Sequence, residues 1–125
     1  MPKDYREIAQ DISAYTAEMR KLTPDAMQGF HALSKAASAG GSVDRKTKEL
    51  VALAIGVIQR CDGCIAFYAK ALKDLGATRR EIAEIMAMCV CMGGGPALMC
   101  ATTCARSALA RPSRSTSGWR FMCSE

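Results

Sequence analysis

Apolar residues recur at helical spacing along nearly the whole chain, and this period limits the fold more than any other feature. Ile8, Ile12, Tyr15, Met19 and Leu22 step by four, three, four and three, one stripe down a helix. Thr23-Pro24 then reads as a cap followed by proline at the first helical position. A second helix carries Met27, Phe30 and Leu33 and fades in SAGGS, residues 38–42. A third starts near Asp44, and from Glu49 it reads ELVALAIGVIQR. Between Val51 and Ile58 that stretch is apolar on every face, so it is expected to lie buried, in the core or at a subunit interface. A fourth helix, about Gly63 to Leu75, ends at Gly76, a residue suited to the left-handed turn after a helix. Thr78 with Glu81 forms a capping box for a fifth, whose stripe is Ile82, Ile85, Met86 and Cys89. GGGP, residues 93–96, breaks it, and a sixth helix follows with Leu98, Ala101, Thr102, Ala105 and Leu109 on one face. No segment alternates at the strand period.

A chain of 125 residues is one domain's worth and long enough for a compact core without staples. Apolar residues make up 50% of it, many of them Ala, Met, Ile and Leu, and only 6% are aromatic, which favours helix over strand. The expectation is an all-α, compact, oligomeric domain of about six helices over residues 1–110. RPSRSTSGWRFMCSE, residues 111–125, has no period and reads as a flexible basic tail in which Trp119 and Phe121 are able to dock.

The net charge of +5 is spread unevenly. Residues 1–104 carry 13 basic and 11 acidic side chains, while the tail adds Arg106, Arg111, Arg114 and Arg120 against Glu125. The body therefore has no basic stripe, and no nucleic-acid partner is expected. The start, MPKDYREIAQDISAY, is charged and amphipathic, without the apolar core of a signal peptide. The longest apolar runs, such as VALAIGVI, are about half of a membrane span. A soluble, cytoplasmic chain with no membrane partner is expected.

Seven cysteines, an odd number without a signal, argue against a secreted disulfide framework. In a reducing cytosol a disulfide is more often catalytic or redox-sensing than structural. Cys61 and Cys64, in RCDGCIAFY, are three residues apart, so on a helix their Cα atoms lie about 5 Å apart, within disulfide reach. Asp62 and Gly63 suit a turn or helix start, where unpaired N–H groups favour a thiolate, and Arg60 adds a cation. The same two residues are also compatible with small buried hydrophobes or with half of a metal site. A zinc site needs a second pair. Cys89 and Cys91 point to opposite sides of a helix, and Cys100 and Cys104 share a face without the spacing of a knuckle.

Glu49 is an acid opening an otherwise apolar helix. If the chain reverses near Arg60, Glu49 lies opposite about residue 71 and within a turn of Tyr68, close to the Cys64/Tyr68 face. A first-turn acid facing solvent is the other reading. His31 is the only histidine and lies on another helix, where it reads as a packed or surface residue.

The stretch from KTKELVALAIGV through RCDGCIAFYAKALKDLGATRREIAEIMAM to MGGGPALM resembles the alkylhydroperoxidase D-like branch of the carboxymuconolactone decarboxylase superfamily. The likeness spans about residues 20–105. It rests on an acid twelve residues before C-x-x-C, then GAT-x-x-EI and MGGGP. The resemblance implies an all-α oligomer, a homotrimer or a homohexamer built from dimers, and reduction of organic hydroperoxides by the cysteine pair with no cofactor and no metal. It also implies a proton relay of Glu49, Cys61, Cys64 and a histidine four residues after the second cysteine, a position occupied here by Tyr68. Histidine titrates near neutrality, whereas an ordinary tyrosine is a hydrogen-bond donor at pH 7 and a poor base. The chain also departs from the family's aromatic residues at Cys91 and Cys100 and from its polar last helix. Cys89, Cys91, Cys100, Cys104 and Cys123 read as packing or incidental thiols.

The expected function is thus a thiol-dependent peroxidase, attenuated by Tyr68. Cys64 attacks the hydroperoxide, Cys61 resolves, and an external dithiol reductant or peroxiredoxin partner resets the pair. The alternatives are a non-enzymatic oligomeric scaffold or redox-responsive protein, and the decarboxylase activity that names the superfamily, which needs no C-x-x-C.

Overall fold

The structure, a computed structural model, describes residues 3–109, with side chains through residue 104. The expected tail at 111–125, with Trp119, Phe121 and Cys123, lies outside them. Five helices account for the described residues: α1 (Tyr5–Leu22), α2 (Pro24–Ser38), α3 (Arg45–Ile58), α4 (Asp62–Asp74) and α5 (Arg79–Leu109). No strand occurs among the described residues.

Most boundaries follow local chemistry. Asp4 caps α1 by accepting from the Arg6 and Glu7 N–H groups. Asp44 caps α3 through the Thr47 N–H at 3.2 Å. The Thr78/Glu81 capping box forms in both directions: the Glu81 carboxylate accepts from the Thr78 N–H at 2.7 Å, and the Thr78 hydroxyl accepts from the Glu81 N–H at 3.1 Å. One expectation changes and one is refined. Thr23 makes no side-chain cap for α2; its hydroxyl donates back to the Met19 carbonyl at 3.0 Å, closing α1 instead. The expected fifth and sixth helices are the two arms of α5, joined at a kink at one non-helical residue, Gly94, at φ 67 and ψ −154. GGGP therefore breaks the helix at one residue without inserting a loop, because glycine alone adopts this backbone readily.

The core is built around the α3–α4 hairpin. Leu53 and Val57 of α3, Ile65 and Leu72 of α4, and Cys104 of α5 are fully buried. Ile82, Met86, Cys89 and Ala101 complete the cluster from both arms of α5, and Tyr5 and Ala9 close it from α1. α1 sits on the start of α4, where a Cβ on Gly63 would lie 2.6 Å from Ile12 Cδ1, the free end of a side chain able to turn aside. Lys3 reinforces that junction with an ion pair to Asp62 at 2.7 Å. The segment Arg79–Cys104 is long and apolar enough, by length and composition, to cross a membrane. Gly94 interrupts it, and one face of each arm enters the core described above.

Within one chain α3 buries Leu50, Leu53 and Val57 in the core and leaves Val51, Ile55 and Ile58 about half exposed, the face on which the other expected burial, at a subunit interface, would have to occur. α2 buries no residue at all, and Phe30 and Leu33 are 67% exposed.

Candidate functional site

The turn that carries the cysteines begins where α3 ends. The Cys61 N–H donates to the Gly56 carbonyl at 2.9 Å, and the Arg60 N–H to the Val57 carbonyl at 3.1 Å. Cys61 is the N-cap of α4, and its sulfur accepts from the Cys64 N–H at 3.2 Å. Cys61 and Cys64 are joined as a disulfide with Cα atoms 5.2 Å apart. The helix-start geometry thus brings the pair together without disturbing either helix.

α4 then folds back along α3. Gly56 is what allows the approach: a Cβ there would lie 3.0 Å from Cys64 Cβ and 3.6 Å from the Ile65 nitrogen. The antiparallel register puts Ala52 beside Tyr68, and these two residues with Ile55 line both halves of one groove. The half at the cysteines, about 200 Å³, adds Gly56, Gln59 and Cys64. The other half, about 340 Å³, runs to Glu49, Lys48 and Val51 and is walled by Phe30, Leu33 and Ala37 of α2.

Glu49 is 5% exposed, although it is charged. Of the two readings left open by the sequence, burial in the groove is the one observed. Its carboxylate makes an ion pair with Arg45 at 3.9 Å. Tyr68 is half-buried between Glu49 and Cys64 along the groove. Cys64, not Cys61, lines the groove. His31 is exposed on α2 and is not among the lining residues.

The remaining described thiols stand apart. Cys91 is exposed. Burial pushes the Cys104 thiol up to about 12, with Cys100 and Cys89 adding smaller upward effects. Burial also raises Cys89 and Cys100. Tyr5, beneath the same end of α4, is raised to about 12 by burial first and Asp62 second. Among the described residues no three His, Cys, Asp or Glu side chains gather as a metal site.

Sequence reasoning missed Gly56, Gln59 and the α2 wall. Gly56 left a trace: a glycine inside a Val/Ile/Leu helix is costly unless another backbone approaches it. Phe30 and Leu33 showed only as a stripe, with nothing to say which helix they face.

Residues 24–107 match the model of the carboxymuconolactone decarboxylase family. The chain belongs to this family. An uncharacterized protein of Cupriavidus necator is 34% identical over 102 residues, covering 82% of this chain and 90% of that one. The uncharacterized protein 4 in the cox locus of Paracoccus denitrificans is 33% identical over 85 residues, 68% of this chain and 77% of that one. Among solved structures, the apo crystal structure of a carboxymuconolactone decarboxylase family protein from Legionella pneumophila superposes with a TM-score of 0.82 at 43% identity. That likeness covers 84% of this chain and 94% of the Legionella chain. The family segment holds α2 to α5 and so the whole groove; α1, which braces the cysteine turn, precedes it.

Proposed function

We propose that this family member is a thiol-dependent peroxidase of attenuated turnover, working in the cytosol on organic hydroperoxides. The observation that carries the reading is the shared groove: Cys64, Tyr68 and Glu49 line it, while Cys61 closes on Cys64 from the turn behind. In the first step the Cys64 thiolate attacks the terminal peroxide oxygen. The O–O bond breaks, Cys64 becomes a sulfenic acid, and the alkoxide leaves as an alcohol after taking a proton. Tyr68, a phenol, is suited to donate that proton; Glu49, having taken the proton released when the Cys64 thiol ionises, is suited to return it to the phenolate directly or through water. The Cys61 thiolate then attacks Cys64 Sγ, the S–O bond breaks, and water leaves with a second proton. A dithiol donor, or a peroxiredoxin partner, supplies the two electrons that reopen the disulfide.

The groove is mostly apolar, which fits the organic part of a hydroperoxide. We also place the active form in an oligomer, a trimer or a hexamer, because Phe30, Leu33, Val51 and Ile55 are left exposed by a single chain. A second reading, a non-enzymatic redox-responsive scaffold, draws on Tyr68, since no histidine lines the groove to act as base. Decarboxylation, the family's name, is the third.

The deciding experiment is thiol titration with mass analysis before and after one equivalent of cumene hydroperoxide. A loss of two protons confined to Cys61 and Cys64, with one equivalent of alcohol formed, is expected. An unchanged mass with the hydroperoxide intact would leave the scaffold reading in its place.

A further inference from the structure

Two turns of this chain share one hydrogen-bond pattern and differ in the residue type at their left-handed position. After α4, the Gly76 N–H donates to the Lys73 carbonyl and the Ala77 N–H to the Leu72 carbonyl, with Gly76 at φ 75. After α3, the Arg60 N–H donates to Val57 and the Cys61 N–H to Gly56 in the same pattern, with Arg60 at φ 56. Both are Schellman closures, whose left-handed position suits glycine. Arg60 is the one described non-glycine residue with positive φ, a conformation its Cβ disfavours, and it directly precedes Cys61. Such outliers gather where a side chain is needed for function.

We infer that Arg60 sets the redox poise of the Cys61–Cys64 pair, its guanidinium favouring the reduced form by stabilising the Cys61 thiolate. The inference rests on the redox reading of the pair. Cys61 already receives the Cys64 N–H at the positive end of α4. Among the other charges at this end, Asp62 opposes a thiolate, but Lys3 holds it at 2.7 Å. Arg60 has no ion-pair partner among the described residues, so its charge is uncommitted. The neighbouring Cys100 thiol, raised by burial first and Asp62 second, is drawn down by Lys3 and then by Arg60, so the guanidinium acts at the cysteine end of the fold alongside Lys3.

In reduction a donor thiolate bonds to Cys64 Sγ, the Cys61–Cys64 bond breaks, and its electron pair leaves on Cys61 Sγ. The donor's second thiolate then displaces Cys64, the donor departs as its disulfide, and the pair has gained two electrons. Whatever stabilises the Cys61 thiolate draws this equilibrium toward the reduced pair and raises its potential.

The test equilibrates the full chain with reduced and oxidised dithiothreitol and reads the pair by alkylation and mass, in wild type, R60G, R60N and R60K. R60G and R60N are expected to unfold at a higher temperature, because both residues are at ease in the turn. Both are also expected to shift the exchange constant about tenfold toward the disulfide, which is about 30 mV for two electrons. R60K is expected to keep the wild-type constant within about twofold. Their iodoacetamide trapping of Cys61 should move to higher pH in R60G and R60N alone. An unchanged constant in the neutral variants, an equal shift in R60K, or lower thermal stability in both neutral variants would each overturn the inference. A wild-type pair that does not exchange with dithiothreitol at all would remove the redox reading and, with it, this inference.

Discussion

Single atoms at the α3–α4 crossing decide how the cysteines sit. Gly56 touches both: its carbonyl holds the Cys61 N–H, and its bare Cα faces Cys64. Gly56→Ala gains about 1 kcal/mol of helix propensity and meets Cys64 Cβ at 3.0 Å. That neighbour is tied into the disulfide and has little room to give. Overpacking costs about 1–3 kcal/mol, so the variant is expected to be less stable by about 1 kcal/mol in urea unfolding and slower to re-form the disulfide. Tyr68→His restores a side chain able to accept a proton at neutral pH. Hydroperoxide turnover should rise by about tenfold or more; an unchanged rate, with the disulfide still forming, would take Tyr68 out of the mechanism. Cys104 tests burial alone. Its thiol is raised from 9.0 to about 12, so the folded chain holds that proton where the unfolded chain has lost it. The stability this contributes is present below pH 9 and declines as pH climbs toward 12. Thermal midpoints followed from pH 8 upward should fall over that window, and Cys104→Ala should flatten the fall.

At the level of elements, what is local was readable and what is distant was not. The helix start near Asp44, the Thr78/Glu81 box and the Gly76 turn are written within six residues each, and each is present. Thr78→Ala should cost about 1 kcal/mol by unfolding, since it frees one donor at the start of α5. Thr23 shows the limit of such reading: its hydroxyl had two helices to serve and closes the earlier one. GGGP was rightly expected to interrupt the helix, yet the interruption is one residue deep. Gly94→Ala places a Cβ on a backbone at φ 67 and ψ −154, essentially reserved for glycine, and should cost about 1–3 kcal/mol. Nothing crowds that position, so the loss measured by unfolding would report backbone strain alone.

For the molecule as a whole, the unbalanced quantity is apolar surface. Leu22 and Met92 are about 80% exposed, and Tyr15, Phe30, Leu33, Val51, Ile55, Met88 and Met99 are each more than half exposed. A single 13.4 kDa chain leaves these side chains in water, and patches of this kind mark association surfaces. Light scattering is expected to give a mass of three or six chains. The thermal midpoint should rise with protein concentration, as it must when folding and assembly are linked. A concentration-independent midpoint at the monomer mass would remove the oligomer from the proposal. The groove depends on the same question, because its α2 wall is among the exposed surfaces.

The sequence by itself determined the helical class, most helix ends and the family, and it marked Cys61 and Cys64 as within disulfide reach, because each is encoded at short range, by residues three to twelve apart. Only the tertiary structure decided that Glu49 is buried and not solvated, that Cys64 and not Cys61 lines the groove, and that Gly56 is the seat of the pair. These depend on the register in which α4 folds back on α3 and on the side of α3 that α2 covers. Register and facing are set by the packing of side chains from several elements at once, which no single helix period records. The left-handed backbone at Arg60 belongs to the same class: its residue type argues against the conformation, and the closure of α3 against the start of α4 imposes it.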